Sequence, residues 1–305
     1  MPKINNIFFS VVIPTYDMDK FLAKCVKSVL NQTYKNFEII IIDNFSKDKT
    51  QRVIKNFKNK KIRFYKLKNK GVIGKSRNFG IKKSKGNWIA FLDADDQWLK
   101  NRLSILKKEI ENKKFDYIST SEIIKEKNKE KIWHYGYRKD NNYEKFLRFG
   151  SVFSTSASVV KKEFIIKNKI MFSEKKIFSS FEDYDFFLNM ARKKAKFYFS
   201  RKVLGKHYLH DGMTTLKKKN YETSLQKVIK SHIKKQNFTL NHNKLLKEIL
   251  MYRDLKKNIE NILNNKDIFI NLIKNFLLFV TNPLYFLKLV YIYLDRKINY
   301  IVRLN

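Results

Sequence analysis

Residues 88–96 read Trp-Ile-Ala-Phe-Leu-Asp-Ala-Asp-Asp, an apolar run that ends in a cluster of acids. An apolar run of this length is typical of a buried strand. Two earlier segments have the same form: residues 8–16 end in Tyr16, and residues 37–43 end in Asp43. Polar side chains that follow parallel strands meet at one edge of a sheet, where α/β proteins bind ligands. The pattern therefore predicts a ligand site at these strand ends.

Helical periodicity separates the apolar runs. It predicts helices at residues 19–30, 47–57 and 73–83 and another strand at 62–67, and Pro14 is expected to end the first strand. Alternating strands and helices favour a mainly parallel, Rossmann-like sheet flanked by helices, so the predicted fold class is α/β. Farther along, the pattern predicts an exposed charged turn at 122–131, strands at 151–160 and 196–209, and a helix at 181–192.

The composition is that of a basic globular protein. Hydrophobic residues make up 43% of the 305 residues, which is enough for a substantial core and excludes a disordered chain. The formal net charge of +38 favours nucleic acid or an anionic membrane as partner, but the joint richness in Lys, Asn and Ile is also what biased codon usage produces. Because the lysines are scattered, we expect no specific nucleic-acid site.

The single cysteine, Cys25, excludes an intramolecular disulfide. It shares one helical face with Leu22, Val26 and Val29, which predicts a buried thiol. Residues 1–6 lack the apolar core of a signal peptide. Together these features predict a cytoplasmic protein.

The composition changes after about residue 215, and the remainder predicts a helical extension over residues 216–305. Helical periodicity covers 221–236 and 245–263, and a strongly apolar region follows at 268–304. Its longest uncharged stretch, 275–287, is too short to cross a bilayer. Apolar helices with one polar stripe and basic flanks can lie in the membrane interface, whereas the alternatives are a buried docking helix or an oligomer contact. We expect amphipathic, membrane-interacting helices.

Several acidic and basic residues are candidates for chemistry. The acids Asp93, Asp95 and Asp96 repel one another at a strand end unless a cation such as Mg²⁺ or Mn²⁺ joins them. Asp43 can accept hydrogen bonds from a base or ribose; the alternative for this segment is that it only starts the next helix, with Ser46 or Asp48 as the cap. Within residues 71–80, Arg77 can pair with a phosphate, and the glycines would let backbone approach the ligand.

The glycine spacing of residues 71–80 fits neither the dinucleotide fingerprint nor the nucleotide-phosphate loop, which argues against dehydrogenases and NTPases. Residues 181–185 carry three acids at a predicted helix start, where the helix dipole favours them. One of these carboxylates could instead take a proton from an acceptor hydroxyl. His210 ends a predicted strand and can return to the metal or be structural.

The order of these motifs resembles glycosyltransferase family 2, whose fold is called GT-A. The matching pieces are residues 11–16; 32–33 with 42–48; 71–80 with Arg77; 91–96 with Trp98; and 182–183. The resemblance implies a catalytic domain over residues 1–215, with a nucleotide-binding part at about 1–97 and an acceptor-binding part at about 98–215. The resemblance implies a nucleoside pocket of Pro14, Tyr16 and Asp43, with Asp93 in contact with the ribose or base. It implies a metal site at Asp95 and His210. It also implies that Asp183 is the general base, that the neighbouring Glu182 binds substrate, and that Trp98 contacts a sugar.

The family implies an inverting, metal-dependent transferase using Mn²⁺ or Mg²⁺. The expected donor is a UDP-hexose or UDP-N-acetylhexosamine, and the expected acceptor is a hydroxyl of a lipid-linked, lipooligosaccharide or capsular glycan on the cytoplasmic face of the inner membrane. A homo-oligomer is possible. Asn44, Asp17 and Lys75 depart from the family pattern, which bears on base and sugar preference. The rival classes are a nucleotidyltransferase and a non-enzymatic basic module that binds nucleic acid or membrane.

Overall fold

Alternate residues of the first strands are buried against opposite faces of one sheet. The computed structural model describes residues 6–127, 129–137, 141–210, 221–235, 242–263, 268–281 and 283–303. Val12 and Ile40 belong to one apolar core, and Val11 and Ile39 belong to a second core. Because both faces are covered, these strands consist of continuous apolar runs instead of alternating ones.

The first part of the chain alternates strands and helices, which confirms the predicted α/β class. Strands β1 to β4 run parallel in the order β4-β1-β2-β3. Pro14 does not end the first strand, which continues to Thr15. It pairs with β2 on one side, whereas on the other side β4 pairs with β1 only as far as Val12. The N–H that proline lacks is therefore not needed by a neighbouring strand. The elements are β1 (Phe9–Thr15), α1 (Asp19–Leu30), β2 (Phe37–Asp43), α2 (Thr50–Lys55), β3 (Ile62–Lys66), α3 (Ile73–Lys83) and β4 (Trp88–Phe91).

The second part extends this sheet with mixed strands. The eighth strand pairs antiparallel with β4, and the sixth lies between the eighth and the ninth. The elements are β5 (Gln97–Trp98), α4 (Arg102–Asn112), β6 (Tyr117–Glu126), β7 (Lys129–Trp133), α5 (Tyr143–Phe149), β8 (Ser158–Lys161), α6 (Lys162–Lys167), a 3₁₀ turn (Lys176–Phe178), α7 (Glu182–Arg192) and β9 (Phe197–Leu209).

Two predictions for this part were wrong. The charged segment 122–131 is a hairpin of β6 and β7, in which Lys125 and Glu130 form a cross-strand ion pair. The charged side chains near its tip, Glu126, Lys127, Lys129 and Glu130, are exposed, while Glu122 is buried. The predicted strand at 151–160 begins only at Ser158.

Two glycines of α3 allow close packing, and an approach of the backbone of residues 71–80 to a ligand stays a prediction. A Cβ at Gly80 would lie 3.0 Å from Val12 Cγ2, still closer to Cγ1, and 3.2 Å from Ile42 Cδ1. A Cβ at Gly74 would lie 2.5 Å from the Ser173 carbonyl oxygen. Gly80 lets the helix approach the sheet, and Gly74 lets it approach the loop that follows α6.

The C-terminal helices pack against α5, α7 and the 3₁₀ turn of the second part of the chain. His232 Nε2 lies 2.9 Å from Asp185 Oδ1, which fixes the first of them to α7. The boundary predicted near residue 215 lies outside the described residues. The elements are α8 (Tyr221–Lys234), α9 (His242–Leu263), α10 (Ile268–Thr281), α11 (Pro283–Tyr300) and β10 (Ile301–Arg303), which pairs with β7.

Two of the three residues of the predicted polar stripe of α10, Asn271 and Asn275, face inward, whereas Lys274 is exposed. Asn271 is buried, and Asn275 Oδ1 accepts a hydrogen bond of 3.1 Å from Asn258 of α9. Apolar side chains therefore face outward, and no helix in the described part of the chain is long and apolar enough to cross a membrane. We call these exposed side chains the α10–α11 surface: Ile270, Leu272, Ile273, Phe276, Leu277, Phe279, Val280, Leu284, Leu287, Tyr291 and Leu294.

We expect Gly80→Ala to lower the free energy of unfolding by about 1–3 kcal/mol, because overpacking against the fully buried Val12 outweighs the helix propensity of alanine. Urea denaturation would measure the change. Lys82→Ala, on the same helix but exposed, is the control and should change little. A stabilised Gly80→Ala variant would contradict this packing.

Candidate functional site

The carboxyl ends of β1, β2 and β4 form one edge of the sheet. Thr15 is in register with Asp43, and the Leu92 N–H donates to the Val12 carbonyl oxygen at 3.1 Å. This register brings Tyr16, Asp43 and Asp93, which follow the strands, to one side of the molecule. The edge is where open α/β sheets bind ligands.

Asp43 organises the turn that follows β2. Its carboxylate is fully buried and accepts hydrogen bonds from the Ser46 N–H, at 3.1 Å, and from the Ser46 hydroxyl. Pro14 is buried in β1, whereas Tyr16 is 45% exposed. At the start of α2 the Thr50 N–H donates to Asp48 Oδ1 at 2.9 Å, whereas Asp43 bonds Ser46 within the preceding turn. Contact of Asp43 with a base or ribose stays a prediction.

Arg77 links the loop that follows β4 to helix α7. Its Nη2 donates to Asp93 Oδ1 at 2.9 Å and its Nη1 donates to Glu182 Oε1 at 3.0 Å. Burial acts to lower the pKa of Arg77, but the charges of Asp93 and Glu182 outweigh burial and raise it, so the guanidinium remains charged. Since it is only 4% exposed and already bound to two carboxylates, its predicted phosphate contact stays a prediction.

Asp95 and His210 lie together, as the sequence predicted for a metal site. Asp95 Oδ2 is 3.0 Å from His210 Nε2, and the imidazole stacks on Phe21 with ring centroids 4.6 Å apart. Burial, followed by the charge of Asp93, raises the pKa of Asp95. A carboxylate and an imidazole together suit Mn²⁺. Among the described residues no group of three or more His, Cys, Asp or Glu side chains is arranged to hold a metal ion. A metal ion at Asp95 and His210 would therefore need further ligands, such as water or the phosphates of a bound nucleotide.

Asp183 lies in the first turn of α7, directly after Glu182. Its Oδ1 accepts from the Tyr184 N–H at 2.7 Å, and its Oδ2 accepts from the Thr155 hydroxyl at 3.4 Å. Burial raises the pKa of Asp183 to about 6, and the charge of Glu182 adds to the shift. A carboxylate with this pKa is ionised near neutral pH yet basic enough to take a proton.

The sequence analysis missed a segment of three consecutive hydroxyl residues between α5 and β8. Each hydroxyl donates to a different acid, so the segment ties the acids of both parts of the sheet to one backbone. A signal was present in the hydroxyl-rich run 151–158, which we interpreted as a strand. The contacts are Ser154 Oγ to Glu122 Oε2 at 2.8 Å, Thr155 Oγ1 to Asp183 Oδ2 at 3.4 Å, and Ser156 Oγ to Asp96 Oδ2 at 2.5 Å.

Asp96 and Trp98 lie behind the exposed edge. Burial acts to lower the pKa of His207, but the charge of the Asp96 carboxylate, 2.9 Å away, outweighs burial and raises the pKa of His207 to about 10. The Trp98 indole is buried and donates to the Ser156 carbonyl oxygen at 3.0 Å. These residues support the loop of residues 93–96, which we call the acidic loop, from its buried side. Contact between Trp98 and a sugar stays a prediction.

A family comparison identifies this arrangement. Residues 10–171 match the model of Glycosyl transferase family 2. The chain belongs to glycosyltransferase family 2. This confirms the family suggested by the order of the motifs.

Curated relatives of this family-2 chain carry matching names. An uncharacterised glycosyltransferase of Rickettsia typhi is 31% identical over 214 residues, covering 68% of this chain and 65% of the relative. One of Methanocaldococcus jannaschii is 32% identical over 208 residues, covering 64% and 68%. One of Rickettsia bellii is 42% identical over 113 residues, covering 37% and 16%. The chain spans less than two thirds of either Rickettsia relative.

Solved structures show the same fold as this family-2 chain. Staphylococcus aureus TarS in complex with UDP aligns with a TM-score of 0.62 at 19% identity, covering 84% of this chain and 74% of TarS. A Pyrobaculum calidifontis mannosyltransferase in complex with GDP-Man and Mn²⁺ aligns with a TM-score of 0.54 at 12% identity, covering 80% and 69%. These matches confirm the predicted GT-A fold.

We expect Arg77→Met to destabilise the protein by about 3–5 kcal/mol, because it leaves Asp93 and the buried Glu182 without their counter-charge. Chemical denaturation would measure the loss. Lys107→Met removes an exposed ion pair with Glu111 and is the control, with an expected loss below about 1 kcal/mol. Equal losses in the two variants would show that the Arg77 bridge does not hold the site together.

Proposed function

We propose that this chain transfers a sugar from a nucleotide-sugar to an acceptor hydroxyl with inversion at the anomeric carbon. The observation that carries the proposal is the Arg77 bridge. It links Asp93, at the end of β4, to Glu182, and so holds the Asp183 carboxylate near the acidic loop. A diphosphate site and a proton acceptor in one cleft are what single-displacement glycosyl transfer requires.

The donor we propose is a UDP-hexose or a UDP-N-acetylhexosamine. Tyr16, Pro14 and Asp43 would line the nucleoside pocket, with Asp93 near the ribose. Support comes from structures of the same fold, since TarS binds UDP and UDP-GlcNAc. The mannosyltransferase that binds GDP-Man shows that the fold also accepts other nucleotides.

We propose that Asp95 and His210 hold Mn²⁺ or Mg²⁺. Their oxygen and nitrogen donors lie 3.0 Å apart, and the neighbouring charge of Asp93 is relieved by a cation. When bound, the cation would neutralise the diphosphate leaving group. Phe21 stacks on the imidazole and keeps its orientation.

Asp183 is the proposed general base. The acceptor oxygen forms a bond to the anomeric carbon while the bond to the diphosphate oxygen breaks, and the acceptor proton moves to Asp183. The Tyr184 N–H and the Thr155 hydroxyl hold this carboxylate in position. A positioned base of this kind typically contributes about 10²–10⁴-fold in rate.

We propose that the acceptor is a lipid-linked or surface glycan, reached at the cytoplasmic face of an anionic membrane. The α10–α11 surface supports this, because eleven large apolar side chains there are 38–84% exposed. Residues 268–303 also carry five Lys or Arg and one Asp, a balance that suits anionic lipid. A homo-oligomer contact at the same surface is the competing outcome.

Product analysis separates the proposal from a nucleotidyltransferase. With a panel of sugar nucleotides and Mn²⁺, glycosyl transfer releases a nucleoside diphosphate, whereas nucleotidyl transfer releases pyrophosphate. Release of pyrophosphate would overturn the proposal. Binding of duplex DNA at physiological salt without turnover would favour the basic binding module.

Asp183→Asn should lower kcat about 10²–10⁴-fold while donor affinity is nearly kept, since the carboxylate acts on the acceptor proton. In the wild type the rate should fall about tenfold per pH unit below about 6, as Asp183 becomes protonated, and should level off above that pH. Nucleoside-diphosphate release against pH measures both.

The control for this experiment is Glu163→Gln, on the exposed face of α6, which should behave as wild type. An Asp183→Asn variant with near-normal turnover, or one that keeps the acid limb of the pH profile, would remove Asp183 from the role.

Phe276→Glu with Leu284→Glu should weaken binding to vesicles containing phosphatidylglycerol by about tenfold or more, because each substitution removes exposed apolar area that the membrane would bury. Sedimentation with vesicles measures it. Ile166→Glu, at an exposed apolar residue of α6 outside the α10–α11 surface, is the control. Unchanged sedimentation, together with a concentration-dependent dimer in ultracentrifugation, would assign the surface to a second copy.

A further inference from the structure

Phe45 has an unfavourable backbone conformation and an exposed side chain. Its φ is +57°, and the residue is 51% exposed. The left-handed region costs an L-residue roughly 1–2 kcal/mol, and a bulky residue there is a genuine outlier. In the described part of the chain, the other non-glycine residues with positive φ are all polar: Asp17, Lys58, Lys70, Lys127, Lys169, Ser180 and Lys194.

Hydrogen bonds on both sides hold Phe45 in this conformation. Before it, the Asn44 N–H donates to the Thr15 carbonyl oxygen at 3.0 Å. After it, Ser46 donates to Asp43 and accepts from the Asp17 N–H at 3.0 Å. The turn is thus determined by its surroundings, and strain that is fixed in this way is typical of functional sites.

The same bonds bring Phe45 next to the nucleoside side of the proposed donor site. Tyr16 lies between Thr15 and Asp17, and Phe45 lies between Asn44 and Ser46, so two exposed aromatic residues project from loops that are bonded together. Lys66 Nζ lies 5.9 Å from the Phe45 ring centroid. This cation–π contact at an exposed site is weak and does not account for an exposed phenyl ring with this φ.

We propose that Phe45 is a donor-binding residue whose ring stacks on the base of the nucleotide-sugar donor. The inference rests on the donor site proposed above. A nucleobase offers a flat face that covers an exposed phenyl ring, and loss of one such stack weakens binding about 5–150-fold. Glycine or asparagine would adopt this φ at lower cost, so the aromatic side chain is explained by ligand binding and not by stability.

The test compares stability with ligand affinity, because the proposal predicts opposite changes. Phe45→Gly should raise the midpoint of thermal unfolding by about 2 °C, since glycine adopts positive φ freely. It should weaken UDP binding in the presence of Mn²⁺ about tenfold, measured by calorimetry. Inorganic pyrophosphate with Mn²⁺ should bind as tightly as to the wild type, because it has no base.

Two further variants sharpen the comparison. Phe45→Tyr keeps the ring and should keep UDP affinity. Lys194→Gly relieves a similar φ of +59° at the far end of α7, and should raise stability without changing UDP affinity.

The outcomes separate the inference from the function on which it rests. Equal UDP affinity in Phe45→Gly and the wild type would overturn the role of Phe45 alone. Equal losses of UDP and pyrophosphate would assign the effect to a distorted turn and also overturn it. A wild type that binds neither UDP nor GDP would overturn the donor site itself, and the inference with it.

Discussion

Carboxylates crowded at one edge of the sheet repel one another, and the buried Arg77 guanidinium is the counter-charge on which the arrangement depends. It binds Asp93, which follows the parallel strand β4, and Glu182, which begins helix α7. A buried ion pair adds little net stability, but removal of its cation leaves the buried Glu182 carboxylate without a counter-charge. The bridge thereby fixes α7, and with it Asp183, to the end of β4.

A second set of polar contacts supports the acidic loop from behind. Ser156 bonds Asp96 and, through its carbonyl oxygen, the Trp98 indole, and His207 carries the matching positive charge. Buried polar groups that are satisfied in this way are rigid, and rigid carboxylates lose little entropy when a cation or a hydroxyl meets them. Tyr16 and Phe45 are exposed aromatic side chains at the same edge.

The sequence predicted the parallel strands and the candidate acids because apolar runs ending in carboxylates are local signals. It could not reveal that Arg77 is shared by Asp93 and Glu182, since that contact joins residues 105 positions apart. The Ser154–Ser156 segment was missed for the same reason: a hydroxyl-rich run specifies no partner. In α10, periodicity found the polar stripe of Asn271, Lys274 and Asn275, but only packing against α9 shows that its two asparagines face inward.

The most direct test of the central claim is calorimetry of UDP binding to the wild type and to Asp95→Ala, each with Mn²⁺ and with a chelator. If carboxylates at this sheet edge hold a cation that binds the diphosphate, UDP should bind tightly only to the wild type with Mn²⁺. Equal affinity in all four titrations would contradict the account.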